Sequence, residues 1–177
     1  GPTPQEDVLD ISAVQALRGI EEHADHWRLG ALTTWSDIIR TDLPTMFDGL
    51  KLASREVGGV QIQNRGTLGG NLCNASPAAD GVPPLLSLDT SVEISSATGS
   101  QNIPLGDFLQ GVRKTALQSD QLLTALTIPK PDQPRAAGHF LKLGARKYLV
   151  ISIVMVSANL EIDDSGRVSA ARLAAGA

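Results

Sequence analysis

A single cysteine, Cys73, is all the thiol present in 177 residues. No disulfide can form within the chain, and the compartment expected is the reducing cytoplasm. Histidine is nearly as sparse: three scattered His and one Cys are poor material for a structural zinc site. No apolar run reaches the ~18 residues that a membrane span requires, so no span is expected. Gly1-Pro2-Thr3-Pro4 has neither the basic start nor the apolar stretch of a signal peptide. Basic residues are thin and dispersed. Fifteen Lys and Arg against nineteen Asp and Glu leave a net charge of −4 and no basic stripe, which argues against nucleic acid as a partner. Internal repeats and low-complexity tracts are also missing.

What is present suits one compact domain. Hydrophobic residues make up 42% of the chain, and a chain of this length buries roughly 70% of its unfolded surface without needing metal or disulfides. The opening has no Met, and residues 6–11 read as a strand already in progress, which implies a preceding segment. Residues 12–20, with Val14, Leu17 and Ile20 at helical spacing, read as a short helix capped by Ser12. A strand is expected over 27–33 and the start of a helix near Ile38. An amphipathic helix follows over 41–57, with Pro44 near its start where proline is tolerated. Another helix is expected over about 78–88, with Pro83 and Pro84 in its first turns.

Beyond that the pattern turns to strands. Residues 91–96 alternate with period two and Thr98-Gly99-Ser100 turns them back into 102–105. A short helix is expected over 105–112, a strand over 122–128 ended by Pro129, a Pro-rich connector to Pro134, a strand over 139–147 and a last strand over 167–174. The apolar run 150–156 reads equally as helix or strand. Hairpin-linked strands with a few helices between them indicate an α+β domain with a mainly antiparallel β-sheet flanked by helices. The absence of regular βαβ alternation and of G-x-G-x-x-G argues against a doubly wound nucleotide fold.

The most informative stretch is 61–80, where Gly69-Gly70 sits among hydroxyl and amide residues and Ser76-Pro77 gives a helix-start signal. Two readings fit. In one, Gly69-Gly70 makes a turn, Ser76 caps a helix and Pro77 occupies its first position. In the other, the stretch is a ligand cradle in which Thr67, Asn71, Asn74 and Ser76 supply hydrogen bonds and the glycine amides allow close approach. The density of polar groups favours the cradle, because each buried donor left unpaired costs on the order of 1–3 kcal/mol.

The string Gly66-Thr67-Leu68-Gly69-Gly70-Asn71-Leu72-Cys73-Asn74-Ala75-Ser76-Pro77-Ala78-Ala79-Asp80 closely resembles the flavin-binding signature of the FAD (medium) subunit of molybdenum hydroxylases. This is the family of xanthine dehydrogenase and carbon monoxide dehydrogenase flavoprotein subunits. Three further segments resemble it in order: Arg28-Leu29-Gly30-Ala31-Leu32-Thr33-Thr34, Leu122-Leu123-Thr124-Ala125-Leu126-Thr127-Ile128-Pro129, and Phe140-Leu141-Lys142-Leu143-Gly144-Ala145-Arg146. The resemblance implies the second subdomain of a PCMH-type FAD-binding fold. The family's N-terminal subdomain, with a second Gly-Gly-Thr loop, and its C-terminal domain are expected to lie outside residues 1–177.

Carried over by position, the resemblance implies that Thr67, Gly69, Gly70 and Asn71 cradle the pyrophosphate and ribityl chain of FAD, mostly through backbone N–H groups. Ala31 would lie against the adenine, and Cys73, Asn74 and Ser76 near the ring system or polyol tail. Asp80 would hold a ribityl hydroxyl, Leu123 would offer its backbone to the pyrimidine edge, and Lys142 would place positive charge near the flavin. The function implied is electron transfer, as an oxidoreductase subunit that takes electrons from [2Fe–2S] clusters and passes them through FAD to NAD, a quinone or oxygen. The partners implied are a molybdenum-cofactor large subunit and an iron–sulfur small subunit. Two alternatives stay open: a subunit-docking fragment that binds no flavin by itself, and a flavoprotein of the related oxidase fold.

Other residues carry weaker signals. Glu21, Glu22, His23, Asp25 and His26 have metal-like spacing but read as an exposed helix end or turn. Asp163-Asp164-Ser165-Gly166 lacks the later ligands of a calcium loop and reads as a hairpin turn. Cys73 has no base near it in sequence, so no catalytic residue and no metal site are assigned.

Overall fold

The computed structural model describes residues 8–133 and 135–177. Residues 8–11 form no strand, and the remainder of the strand expected over 6–11 lies outside the described residues. The helix expected over 12–20 is also replaced. Only a 3-10 turn forms at Gln15–Leu17, and Ser12 does not cap it. Gly19 then takes a φ of 98°, a conformation that no interior helical residue adopts, and Ile20 already belongs to a strand. That strand, β1 (Ile20–Glu22), pairs antiparallel with β2 (His26–Gly30). The Glu21–His26 segment is therefore a hairpin, in which His23 and His26 stack with centroids 4.5 Å apart.

Thr34 opens α1 (Trp35–Arg40) through a capping box with Asp37. The long helix expected over 41–57 is shorter. A 3-10 turn at Thr45–Phe47 follows Pro44, and α2 (Asp48–Glu56) takes over. Then come α3 (Val60–Gln63), α4 (Leu68–Asn74) and α5 (Val82–Ser87), the last with Pro83 and Pro84 in its first turn as the sequence predicts. The hairpin of β3 (Ser91–Ser96) and β4 (Gly99–Pro104) forms as expected, with Gly99 at φ 143°. The chain continues through α6 (Leu105–Phe108), the small hairpin β5 (Leu109–Gly111) and β6 (Lys114–Thr115), then β7 (Leu122–Pro129). It finishes in β8 (Arg135–Gly144), β9 (Ser152–Ile162) and β10 (Val168–Gly176). The ambiguous run 150–156 thus resolves into a strand.

Two larger antiparallel sheets result. The first has the order β1-β2-β7-β3-β4 and the second β10-β9-β8. Leu29, Val92, Ile94, Leu126 and Ile128 of the first sheet form one core with Phe47, Leu50, Leu85 and Leu88 of the helical layer. On the other side, Ala53 of α2 packs with Phe140 and Met155 of the second sheet. Contact there is close enough that a Cβ on Gly138 would stand 2.5 Å from the Met46 carbonyl oxygen. The outer face of the second sheet is bare of cover among the described residues, with Leu141, Leu143, Val154, Val156, Leu160 and Leu173 all exposed.

Candidate functional site

The stretch 66–71 is pinned to the end of β2. Trp35 N donates to Gly66 O, Leu68 N to Thr33 O, and Gly69 N to Ala31 O at 2.9 Å. Gly70 N donates to the Thr67 hydroxyl at 3.1 Å, and Asn71 N to Thr67 O at 3.0 Å. Gly69 and Gly70 therefore do not form an open turn. They occupy the first turn of α4, neither takes a positive φ, and their amides are already bonded. The physical reason lies at Ala31: a Cβ on Gly69 would come within 2.8 Å of both Ala31 Cβ and Ala31 O. Glycine at 69 lets helix and strand end touch. Gly70 is exposed and meets only the Thr67 hydroxyl.

Ser76 is likewise not a cap. α4 ends at Ala75 in a left-handed conformation (φ 43°). Two successive turns follow, Ala79 N to Ser76 O and Val82 N to Ala79 O, before α5 begins at Val82. The helix expected from residue 78 is thereby delayed by four residues.

Residues predicted from separate parts of the sequence do meet. Ala31 N donates to Thr124 O at 2.9 Å while Ala31 O receives Gly69 N, so β7, the strand end and α4 join at one residue. Pairing of β7 with β2 ends at Ala125, which leaves Leu123 beyond the end of β2; its side chain is buried. Lys142 Nζ lies 2.9 Å from Asp80 Oδ2, with both side chains almost fully covered. Burial pushes the Asp80 carboxyl above its ordinary value, and Lys142 opposes that. Asp80 Oδ1 and Asn71 Oδ1 are both buried without a donor among the described residues. Asn74 is engaged elsewhere: its Oδ1 receives the Arg113 guanidinium. Cys73 sits at the exposed surface of α4, where its surroundings still hold the thiol above its ordinary value, so it is not poised as a nucleophile.

Beside the Thr67 cap opens a cleft of about 580 Å³, lined by residues 8–12, Arg18, Leu32, Thr34, Asn64, Arg65 and Thr67. Sequence reasoning did not single out Arg18, Thr34, Asn64 and Arg65, which line this cleft. Arg65 could have been noticed, because it precedes Gly66-Thr67 directly. Arg18 could not, because its nearness depends on how the residues before β1 fold back.

Comparisons with known proteins show the family and the fold. Residues 2–131 match the family described as FAD binding domain in molybdopterin dehydrogenase. The nicotinate dehydrogenase FAD-subunit of Eubacterium barkeri is 35% identical over 167 residues, which are 90% of this chain and 55% of that protein. The xanthine dehydrogenase FAD-binding subunit of Escherichia coli O157:H7 is 33% identical over 172 residues, 96% of this chain and 58% of its own length. Among solved structures, quinoline 2-oxidoreductase from Pseudomonas putida 86 superposes with a TM-score of 0.80 at 29% identity, covering 94% of this chain and 57% of that one. Reconstituted CO dehydrogenase from Oligotropha carboxidovorans gives a TM-score of 0.81 at 27% identity, with 92% and 56% covered. The chain thus has the fold of these flavoprotein chains and spans a little over half their length.

Proposed function

The chain belongs to the family of FAD-binding domains of molybdopterin dehydrogenases, and from that premise we propose that it holds FAD as the electron-transfer part of a molybdenum-containing oxidoreductase. The observation that carries the reading is the junction at Ala31. There the Gly-Ala strand end, the glycine-bearing helix and β7, three segments far apart in sequence, are tied by two hydrogen bonds of 2.9 Å. Bound FAD would supply the redox chemistry, and the protein's part is to hold, orient and tune it.

In this reading Thr67, Gly69, Gly70 and Asn71 face the pyrophosphate and ribityl chain. The glycine amides are already bonded, so the contribution of Gly70 is a bare, exposed surface that a ligand can approach closely. Ala31 serves the adenine, and Cys73, Asn74 and Ser76 border the ring or polyol. Asn71 Oδ1 and Asp80 Oδ1, both lacking donors, are the kind of acceptors that ribityl hydroxyls satisfy. Leu123, paired with Ile94 of β3 but beyond the end of β2, would turn toward the pyrimidine edge, and Lys142 contributes fixed positive charge. The chain would work beside a molybdenum-cofactor large subunit and an iron–sulfur small subunit, with NAD, a quinone or oxygen as final acceptor.

The test is titration of the 177-residue chain with FAD, followed by gel filtration. Quenched flavin fluorescence and a yellow protein peak are expected. Free elution of FAD at every concentration would overturn the reading. The paired state of the amides of residues 68–71 favours a second one, in which the chain docks partner subunits without flavin. Colourless protein that still co-purifies with an iron–sulfur subunit is the outcome that would select it.

A further inference from the structure

The second sheet turns a polar side inward. Its buried residues include Ser152, Ser157, Asn159 and Glu161, while Phe140 and Met155 are its only large apolar buried residues among those described. Apolar contact is non-directional and does not by itself choose one docking position over a neighbouring one. Directed bonds do that here. The Ser87 and Ser157 hydroxyls are 3.0 Å apart, Asn159 Nδ2 donates to Met46 O at 2.8 Å, and the Thr45 hydroxyl donates to Ala136 O. Two ion pairs complete the join among the described residues. Lys142 of β8 meets Asp80, and Arg172 of β10 meets Asp89, which follows α5. The first pair is nearly enclosed and the second is open to water.

Arg172 is held toward Asp89 from within its own sheet. Its Nη1 donates to Glu161 Oε1 at 2.6 Å, and the buried Glu161 takes Gln133 N on its other oxygen at 3.2 Å. The guanidinium therefore has an anchor in β9 and reaches the helical layer with its Nε. Strand register places Arg172 opposite Asn159 and Lys142 opposite Met155. The two ion pairs thus lie four residues apart along β9, about 13 Å, and share no residue.

We propose that Arg172, through its contact with Asp89, is a positioning residue for Lys142. It fixes where the second sheet docks along the helical layer, and so where the Lys142 ammonium stands relative to Asp80. The hydrogen-bonded strands carry the constraint from one end of the sheet to the other, because β9 pairs with both β8 and β10. The consequence for flavin rests on the function proposed above, in which Lys142 places charge near bound FAD. The docking role stands on the two ion pairs alone.

The experiment is a double-mutant cycle, read by denaturant unfolding of the whole chain, that pairs Asp89→Asn with Lys142→Met. Asparagine tolerates the left-handed φ of 52° at position 89, and Arg172 keeps Glu161, so Asp89→Asn is expected to fold. Independent sites at this separation multiply their effects on the unfolding constant within about twofold. Positioning predicts a double variant less destabilised than that product by about fivefold, because without Lys142 there is no buried pair for the docking to align. Arg172→Lys keeps a charge beside Glu161 but loses the planar fork that spans both acids, and its cycle with Lys142→Met should show the same coupling. Multiplicative effects in either cycle overturn the proposal and leave the FAD reading standing. In protein loaded with FAD, Asp89→Asn should lower the flavin reduction potential in the same direction as Lys142→Met and by less. A potential that follows Lys142→Met but not Asp89→Asn also overturns the proposal. Coupling in a chain that takes up no FAD keeps the positioning role and removes the FAD reading.

Discussion

Lys142 and Asp80 stand 2.9 Å apart with side chains 5% and 12% exposed, a setting in which neither charge is well tolerated alone. Lys142→Met should destabilise the fold by about 3–5 kcal/mol near neutral pH, because Asp80 is left buried without its counter-charge. The pH dependence has a definite sign. Burial raises the folded-state affinity of Asp80 for its proton above that of the unfolded chain. The folded state therefore gains as pH falls through the raised value toward the ordinary carboxylate range, and loses as pH rises. Denaturant unfolding of Lys142→Met at pH 7 and pH 5 should show the variant recovering part of its loss at the lower pH; a flat profile would mean that water reaches Asp80. Each partner was legible as a site residue from its own motif, but their pairing was not, because 62 residues separate them. Gly69-Gly70 was misread for a related reason. Glycine costs ~1 kcal/mol inside a helix, so local preference points to a turn, and only the contact with Ala31 explains a helix there.

Among the elements, the first sheet is tied on one face by Arg28 of β2, Glu93 of β3 and Thr124 of β7. Arg28 donates to both Glu93 oxygens, at 2.9 and 3.3 Å, and the Thr124 hydroxyl donates to the same carboxylate. The Arg28 hydrogen bond holds Glu93 below the usual carboxylate range despite partial burial. A depressed folded-state value contributes stability that is present above the unfolded value and lost as pH falls through the folded one. Glu93→Gln should therefore cost about 1–2 kcal/mol at neutral pH and little at low pH, read as acid unfolding curves that converge with wild type. Convergence at neutral pH instead would show the bridge to be idle. Period-two alternation revealed β3, the turn at 98–100 revealed β4 and the run ended by Pro129 revealed β7, yet not their order, since β7 inserts between β2 and β3 from 26 residues beyond the end of β3. The segment 12–20 failed the other way: its helical spacing is genuine, but Gly19 at φ 98° and pairing of Ile20 with Leu29 override it.

At the scale of the molecule, fold class and family were legible because four short motifs kept their order, whereas the closed state of the amides depended on contacts no motif encodes. The second sheet has a packed inner face and an apolar outer one. Leu141 and Leu173 on that outer face are 66% and 71% exposed, beside the exposed Leu143, Val154, Val156 and Leu160, and exposed apolar side chains gathered on one face are what hydrophobic dyes bind. The chain should therefore bind a hydrophobic dye strongly. Leu141→Glu with Leu173→Lys should reduce that binding while shifting unfolding free energy by no more than about 0.5 kcal/mol. A large loss of stability would mean that these leucines carry packing load. The bonded amides of residues 68–71 have a different consequence. A ligand arriving at Thr67 meets a surface rigid before contact, with no loop left to freeze, so association there surrenders little backbone entropy and affinity depends on fit.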